Sequence, residues 1–280
     1  MELSALVKKI GFNSIFLVRL FKRNIENYFV PAEEPNHDPI GIDSLQWIGH
    51  STTIININGI IIVTDPILGS IWPFKRKVRP SMDLSHIHVD YILLSHGHMD
   101  HLEYTSLLRL NRDATLIVPK GYGFLKKFGF KDVIIAEEHG CISLEHNLKI
   151  HTFPANHDGR RYYLGNNGYT NAYLIDGGDI KVFFGGDTAF TDEFNGLESS
   201  VALLPVGCYV PSTFEKMHCT PIQSYNIFKS MNSNYFIPIH YNTFIISLDD
   251  DKETLETLKN LKDDKVLITD IGKTINLRGM

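Results

Sequence analysis

The first thirty residues repeat with a helical period. Leu3, Leu6, Val7, Ile10, Leu17, Phe21, Ile25 and Tyr28 fall on one face at 100° per residue, and Lys8, Arg19, Lys22 and Arg23 fall on the other. Phe12, Ile15 and Phe16 widen the apolar face, while Gly11 weakens the first turns. Pro31, Pro35 and Pro39, set among Glu33, Glu34, Asn36 and Asp38, form a linker that no helix crosses. Past residue 40 the period shortens to β-rich runs. Residues 52–57 and 60–64 flank Asn58-Gly59, a strong two-residue hairpin signal. Further strands are predicted at 91–95, 115–118, 149–153, 172–175, 180–184, 201–204 and 235–238, with a Gly177-Gly178 turn between the fourth and fifth of these runs. Helices are predicted at about 102–110, 221–231 and 252–261, the second opened by Thr220-Pro221. Strands with interspersed helices indicate an α/β or α+β layered fold. The economical division is a segment 1–39, helix plus linker, and one domain over 40–280.

Composition narrows the function. The 280 residues are 43% apolar and 21% charged, ordinary for a globular chain. The net charge of −5 lacks the basic excess of a dedicated nucleic-acid binder, so no nucleic-acid partner is expected. Cys141, Cys208 and Cys219 are too few and too scattered for a disulfide framework, which points to a reducing, cytoplasmic setting. The longest uncharged apolar stretch near the start, 10–18, is about half of the ~18 residues a membrane span needs. Charges follow that stretch and no small-residue cleavage site does, so a secretion signal is not expected. Residues 1–30 carry five basic and two acidic side chains, a net +3 that leaves −8 on the remainder. A basic amphipathic helix on an acidic body packs on that body, on a second subunit, or lies on an anionic membrane surface.

Thirteen histidines are the unusual count, and their placement decides the chemistry. The apolar run Leu93-Leu94 leads into Ser95-His96-Gly97-His98-Met99-Asp100-His101-Leu102. In an extended stretch His96 and His98 point to one side. A turn allowed by Gly97 then lets Asp100 and His101 face the same neighbourhood. Three imidazoles and a carboxylate at a strand end suit zinc first, and manganese or iron next. So many groups that repel when protonated have little structural reason to cluster without a metal.

The motif His96-x-His98-x-Asp100-His101 resembles the signature of the metallo-β-lactamase superfamily. The resemblance implies a four-layer αββα sandwich with two divalent metal ions at the sheet edges. It also implies three further ligands in the order His, Asp, His, and His157, Asp187 and His240 each lie just past a β run. By the resemblance, His96, His98 and His157 hold one ion, Asp100, His101 and His240 the other, and Asp187 bridges them. Asp65, in Thr64-Asp65-Pro66, would orient a ligand from behind. His86 and His88 precede the strand at its opposite end, and His37, His139, His146 and His151 lie in or beside turns or the linker. Surface or structural roles are expected for all six.

Three more segments narrow the branch. Trp47-Ile48-Gly49-His50-Ser51-Thr52, the stretch Pro205–Pro211 followed by Lys216–Pro221, and Pro238–Phe244 look like the branch containing N-acyl-phosphatidylethanolamine-hydrolysing phospholipase D and its bacterial relatives. A related branch contains the ascorbate-6-phosphate lactonases. His218 matches a residue near the metals that binds a phosphate oxygen or protonates the leaving group, or else it caps the helix at Pro221. His50 would serve near the hairpin by packing or hydrogen bonding. The chain departs from the phospholipase pattern at Asp158, at Gly168–Ala172 and at Ser212-Thr213, where tryptophan or an Arg-Trp pair is usual. These positions alter the pocket wall and leave the ligands intact.

Two cations that share a water lower its pKa toward neutrality. Hydrolysis of a phosphodiester, phospholipid-like by resemblance, is the leading expectation, with Asp100 and His218 as catalytic groups. The alternatives are hydrolysis of a lactone or carboxylic ester of a small, phosphorylated metabolite, and a non-hydrolytic metal-binding or redox role.

Overall fold

The computed structural model describes residues 3–161 and 168–280, with side chains from residue 14 onward. Helix α1 (Leu3–Phe29) is followed by strands β1 (Ser44–Gly49), β2 (Thr52–Ile57), β3 (Ile60–Thr64) and β4 (Tyr91–Leu93). Then come α2 (Tyr104–Arg109), β5 (Thr115–Pro119), β6 (Asp132–Ala136), β7 (Cys141–Ser143) and β8 (Lys149–Pro154). The chain closes with β9 (Asn171–Asp176), β10 (Lys181–Phe184), β11 (Glu198–Pro205), α3 (Pro221–Ser230), β12 (Asn232–Ile239), α4 (Asp251–Asn260) and β13 (Thr274–Asn276).

Two sheets result, ordered β13-β1-β2-β3-β4-β5-β6 and β12-β11-β10-β9-β8-β7. The β2–β3 hairpin forms at the bounds its pattern predicts, with Asn58 and Gly59 both at positive φ as a tight turn there requires. Alternation along β2 explains the layering. Ile55 and Ile57 enter the core between the two sheets, while Ile54 faces the opposite side, packed with Ile92 and with Leu107 of α2. Ile227 and Phe228 of α3 and Leu258 of α4 join the core from beyond the second sheet. The four layers are those of the αββα sandwich.

Several boundaries differ from the sequence expectation. Strand β4 ends at Leu93, not 95, because the Ser95 amide donates to Asp65 Oδ1 (2.7 Å) instead of to a neighbouring strand. Helix α2 starts at Tyr104, after Glu103 accepts the amides of Thr105 and Ser106. Strands β1, β6, β7 and β13 carried too little pattern to be predicted. The proline-rich stretch 31–39 is strapped to the body: Glu33 exchanges backbone bonds with Lys77 and Arg79, and the amides of Asn36 and Asp38 donate to the carbonyls of Ile271 and Gly272. Among the described residues no helix is long and apolar enough to cross a membrane.

Candidate metal centre

The sheets bring the candidate ligands to one edge. His96 and His98 follow β4, His157 follows β8, Asp187 follows β10, His240 follows β12 and His50 follows β1. The loop after β4 is built from Ser95. Its amide and its hydroxyl (2.5 Å) both donate to Asp65, and its hydroxyl also lies 2.9 Å from His96 Nδ1. The carbonyl of His98 accepts the amides of His101 and Leu102, a turn that swings Asp100 and His101 back to the cluster. Gly97 serves differently from expectation. It is absent from the positive-φ positions of the loop, and its value is space, since a Cβ there would collide with the Tyr122 hydroxyl. That hydroxyl donates to the Gly159 carbonyl at 2.8 Å.

Three overlapping groups have ligand atoms within 4.8 Å of one another: His96, His98, His157 and Asp187; His50, Asp100, His101 and His240; and Asp187, His218 and His240. Within them, His157 Nε2 lies 3.1 Å from His98 Nδ1 and His101 Nε2 lies 3.2 Å from His240 Nε2. Both oxygens of Asp187 approach the second of these groups, Oδ2 at 3.1 Å from His101 Nε2 and Oδ1 at 3.1 Å from His240 Nε2. Asp187 Oδ2 is also 3.9 Å from His96 Nε2. The seven sequence-predicted ligands are therefore gathered with Asp187 in the middle.

The donor set fits divalent cations. His96 Nε2 and both Asp187 oxygens are fully buried with no hydrogen-bond partner among the described residues, a costly state for polar atoms unless something else binds there. The opposite ring nitrogens are tied down. His101 Nδ1 lies 2.7 Å from Asp65 Oδ2, and His157 Nδ1 donates to the Met217 carbonyl at 2.7 Å. Each bond leaves the Nε2 lone pair aimed at the cluster, the usual support for a metal-binding imidazole.

Electrostatics divides the imidazoles. Burial, reinforced by its histidine neighbours, holds His96 well below the ordinary histidine range, and burial brings His157 down to about 4. Both rings are neutral, as ligation requires. Burial also disfavours charge on His240, but Asp187 and Asp100 outweigh it and raise that ring to about 9. Asp187 and Asp100 resist burial in turn and stay well below the usual carboxylate range because of the imidazoles around them. The ionised Asp187 and Asp100 carboxylates are thus matched to a positive site, and a cation bound there would displace the proton they favour on His240.

His50 sits closer to the centre than its sequence context suggests. It is buried, and its Nε2 donates to the ionised Asp100 carboxylate at 2.9 Å. Burial and the nearby His240 push it down to about 3, so it is a neutral donor. His218 is not a helix cap. Thr220 caps α3 through the Gln223 amide, while His218 Nδ1 lies 3.6 Å from Asp187 Oδ2 inside the site. His86 and His88 are exposed, and His37, His139, His146 and His151 stand outside the three groups.

Sequence reasoning missed several contributors. Ser95 braces Asp65 and His96, and its place between a strand and a histidine motif was the available signal. Gly207 abuts His240 so closely that a Cβ would overlap the His240 carbonyl. His50, Asp65, Cys208 and His240 are non-glycine residues at positive φ, strain concentrated at one site. A cavity of about 350 Å³ reaches the centre at His98, Asp100 and His218. Its walls are apolar: Phe16 and Leu20 of α1, Ile71, Phe74, Met99, Phe214 and Ile246.

The sequence matches the β-lactamase superfamily domain over residues 61–241, about two thirds of the chain and every member of the three ligand groups except His50. The chain belongs to the metallo-β-lactamase superfamily. Within it, the chain is 27% identical over 266 residues to N-acyl-phosphatidylethanolamine-hydrolyzing phospholipase D 1 of Caenorhabditis elegans, covering 81% of this chain and 74% of that one. It is 29% identical over 241 residues to a UPF0173 metal-dependent hydrolase of Hyperthermus butylicus, covering 82% and 97%. Relatives from Mycobacterium tuberculosis and Saccharomyces cerevisiae are longer, and the chain spans 59% and 54% of their length. The solved metallo hydrolase of Ignicoccus hospitalis superposes with a TM-score of 0.63 at 23% identity, covering 83% of this chain and 97% of that one, which shows the shared superfamily fold.

Proposed function

We propose that this metal-dependent hydrolase of the metallo-β-lactamase fold cleaves a phosphodiester that carries an apolar group, a phospholipid-like substrate. The observation that carries the reading is the cavity. Its inner end presents His98, Asp100 and His218, and its remaining walls are aliphatic and aromatic. Such a site favours a ligand with one polar, anionic end and one apolar end. The similarity to the C. elegans phospholipase supports the same class.

His96, His98 and His157 would hold one divalent cation, Asp100, His101 and His240 a second, and Asp187 would stand between them; zinc is the first choice, with manganese or iron next. When bound, such a pair supplies Lewis acidity and a water of lowered pKa. The chain's own residues do the rest. Asp65 and the Met217 carbonyl fix the rings of His101 and His157. His50 holds the Asp100 carboxylate in place by its 2.9 Å bond. His218, buried and pushed by burial well below the ordinary histidine range, offers a neutral N–H to a phosphoryl oxygen or to the leaving oxygen. Phe16, Leu20, Ile71 and Phe74 exclude water and seat the apolar group.

The test is a substrate series on protein loaded with zinc, manganese or iron. Bis-p-nitrophenyl phosphate and phosphodiesters of increasing acyl length are compared with a lactone and carboxylic-ester panel. Turnover of the diesters, with kcat/KM rising with acyl length, is the expected result. Turnover of lactones or carboxylic esters alone would overturn the reading.

A further inference from the structure

Helix α1 is mounted on the body by its polar side. Arg23 donates to the carbonyls of Ser247 and Asp249, Asn24 to the carbonyl of Ile245 (2.8 Å) and Asn27 to that of Lys75 (3.0 Å). Phe16 and Leu20 turn inward on the same side, as cavity walls. The consequence is an apolar face turned outward. Ile15, Val18, Phe21, Ile25, Tyr28 and Phe29 are 44% to 80% exposed. At 100° per residue they cover, with Leu17, about 160° of the helix surface. Trp72, 88% exposed, stands on the neighbouring loop, whose Ile71 and Phe74 are again cavity walls. Lys75 of that loop joins it to the helix end, donating to the Tyr28 carbonyl at 3.0 Å.

We infer that the outward face of α1, together with Trp72, docks the protein on an anionic lipid surface. A soluble body has no reason to turn this much aliphatic and aromatic surface to water. The helix segment is basic, +3; exposed Arg19 flanks the stripe and exposed Lys22 stands just inside its edge, 3.8 Å from Glu26. A twofold pairing with a second copy would set two such basic segments against each other, whereas anionic headgroups complement them. The helix is too polar to cross a bilayer, and an amphipathic helix of this kind lies in the interface with aromatic side chains at headgroup level. The elements that would touch the lipid also wall the cavity, so docking places the cavity beside the bilayer. The inference stands apart from the proposed reaction, because binding is read without turnover.

The chain reports on itself. Of its two tryptophans, Trp47 is 1% exposed and Trp72 is the accessible one, so a change in emission on adding vesicles belongs to Trp72. The full chain is mixed with phosphatidylcholine vesicles with and without phosphatidylglycerol, and partition is read by flotation and by emission. Flotation with the anionic vesicles and a blue shift that Trp72→Phe removes are expected. The double variant Val18→Glu/Phe21→Glu, and separately Arg19→Glu/Lys22→Glu, should weaken partition by about tenfold or more, with melting temperature and metal content unchanged. Absent partition, or partition unaltered in both double variants, would overturn the inference. So would a dimer in light scattering that Val18→Glu/Phe21→Glu dissociates while vesicles stay unbound.

Discussion

Asp187 is the residue on which both groups of imidazoles converge, and its buried oxygens make no hydrogen bond among the described residues. Asp187→Ala should therefore lose metal from both groups together and cut turnover by more than ~100-fold, since even partners behind metal ligands cost about 10–100-fold. Elemental analysis beside the activity assay checks this, and loss from one group alone would contradict the central placement. His218 touches Asp187 from the cavity side without belonging to the two groups that hold the seven predicted ligands. His218→Ala should retain metal while kcat falls by about 10²–10⁴-fold, the range for removing a positioned proton donor. A fall in metal content matching the fall in rate would reassign it as a ligand.

At the scale of elements, the strand ends rest on small polar devices. Asp43 accepts the Asn58 amide in the β2–β3 turn (2.8 Å) and Arg278 Nε beyond β13 (2.7 Å), so one carboxylate ties the hairpin to the chain's last strand. The Asn58 bond and Arg278 hold its pKa below the ordinary aspartate value. A group with a lowered native pKa contributes stability above its unfolded pKa and loses it as pH falls through the native one. Asp43→Asn should thus cost about 1 kcal/mol at neutral pH, and the gap to the parent should close below about pH 4. Urea midpoints across pH 3–7 measure it, and a gap independent of pH would show that charge on Asp43 has no part. Thr220 is a second device, and Thr220→Ala should lower stability by about 1 kcal/mol while leaving metal content unchanged, as thermal melting and elemental analysis would show.

For the molecule as a whole, legibility followed the range of the signal. The β2–β3 hairpin needed only Asn58-Gly59 and alternation, and the centre's first four groups lie within six residues. His157, Asp187 and His240 were legible because the resemblance implies a His, an Asp and a His in that order and each of the three follows an apolar run. Strands β7 and β13 were not, because three residues at a sheet edge carry too little alternation to read. The helical period of α1 was plain, yet which face meets the body depended on carbonyls of the loop 245–249 more than two hundred residues away. The apolar cavity has the same origin, since its walls come from α1, the loop at 71–74 and residues 214 and 246.

Seven side chains would gather the proposed pair of cations. Anomalous diffraction from crystals grown with zinc measures this directly. Two peaks are expected, one among His96, His98 and His157 and one among Asp100, His101 and His240, each beside Asp187. A single peak, or none at saturating zinc, would contradict the proposed pair.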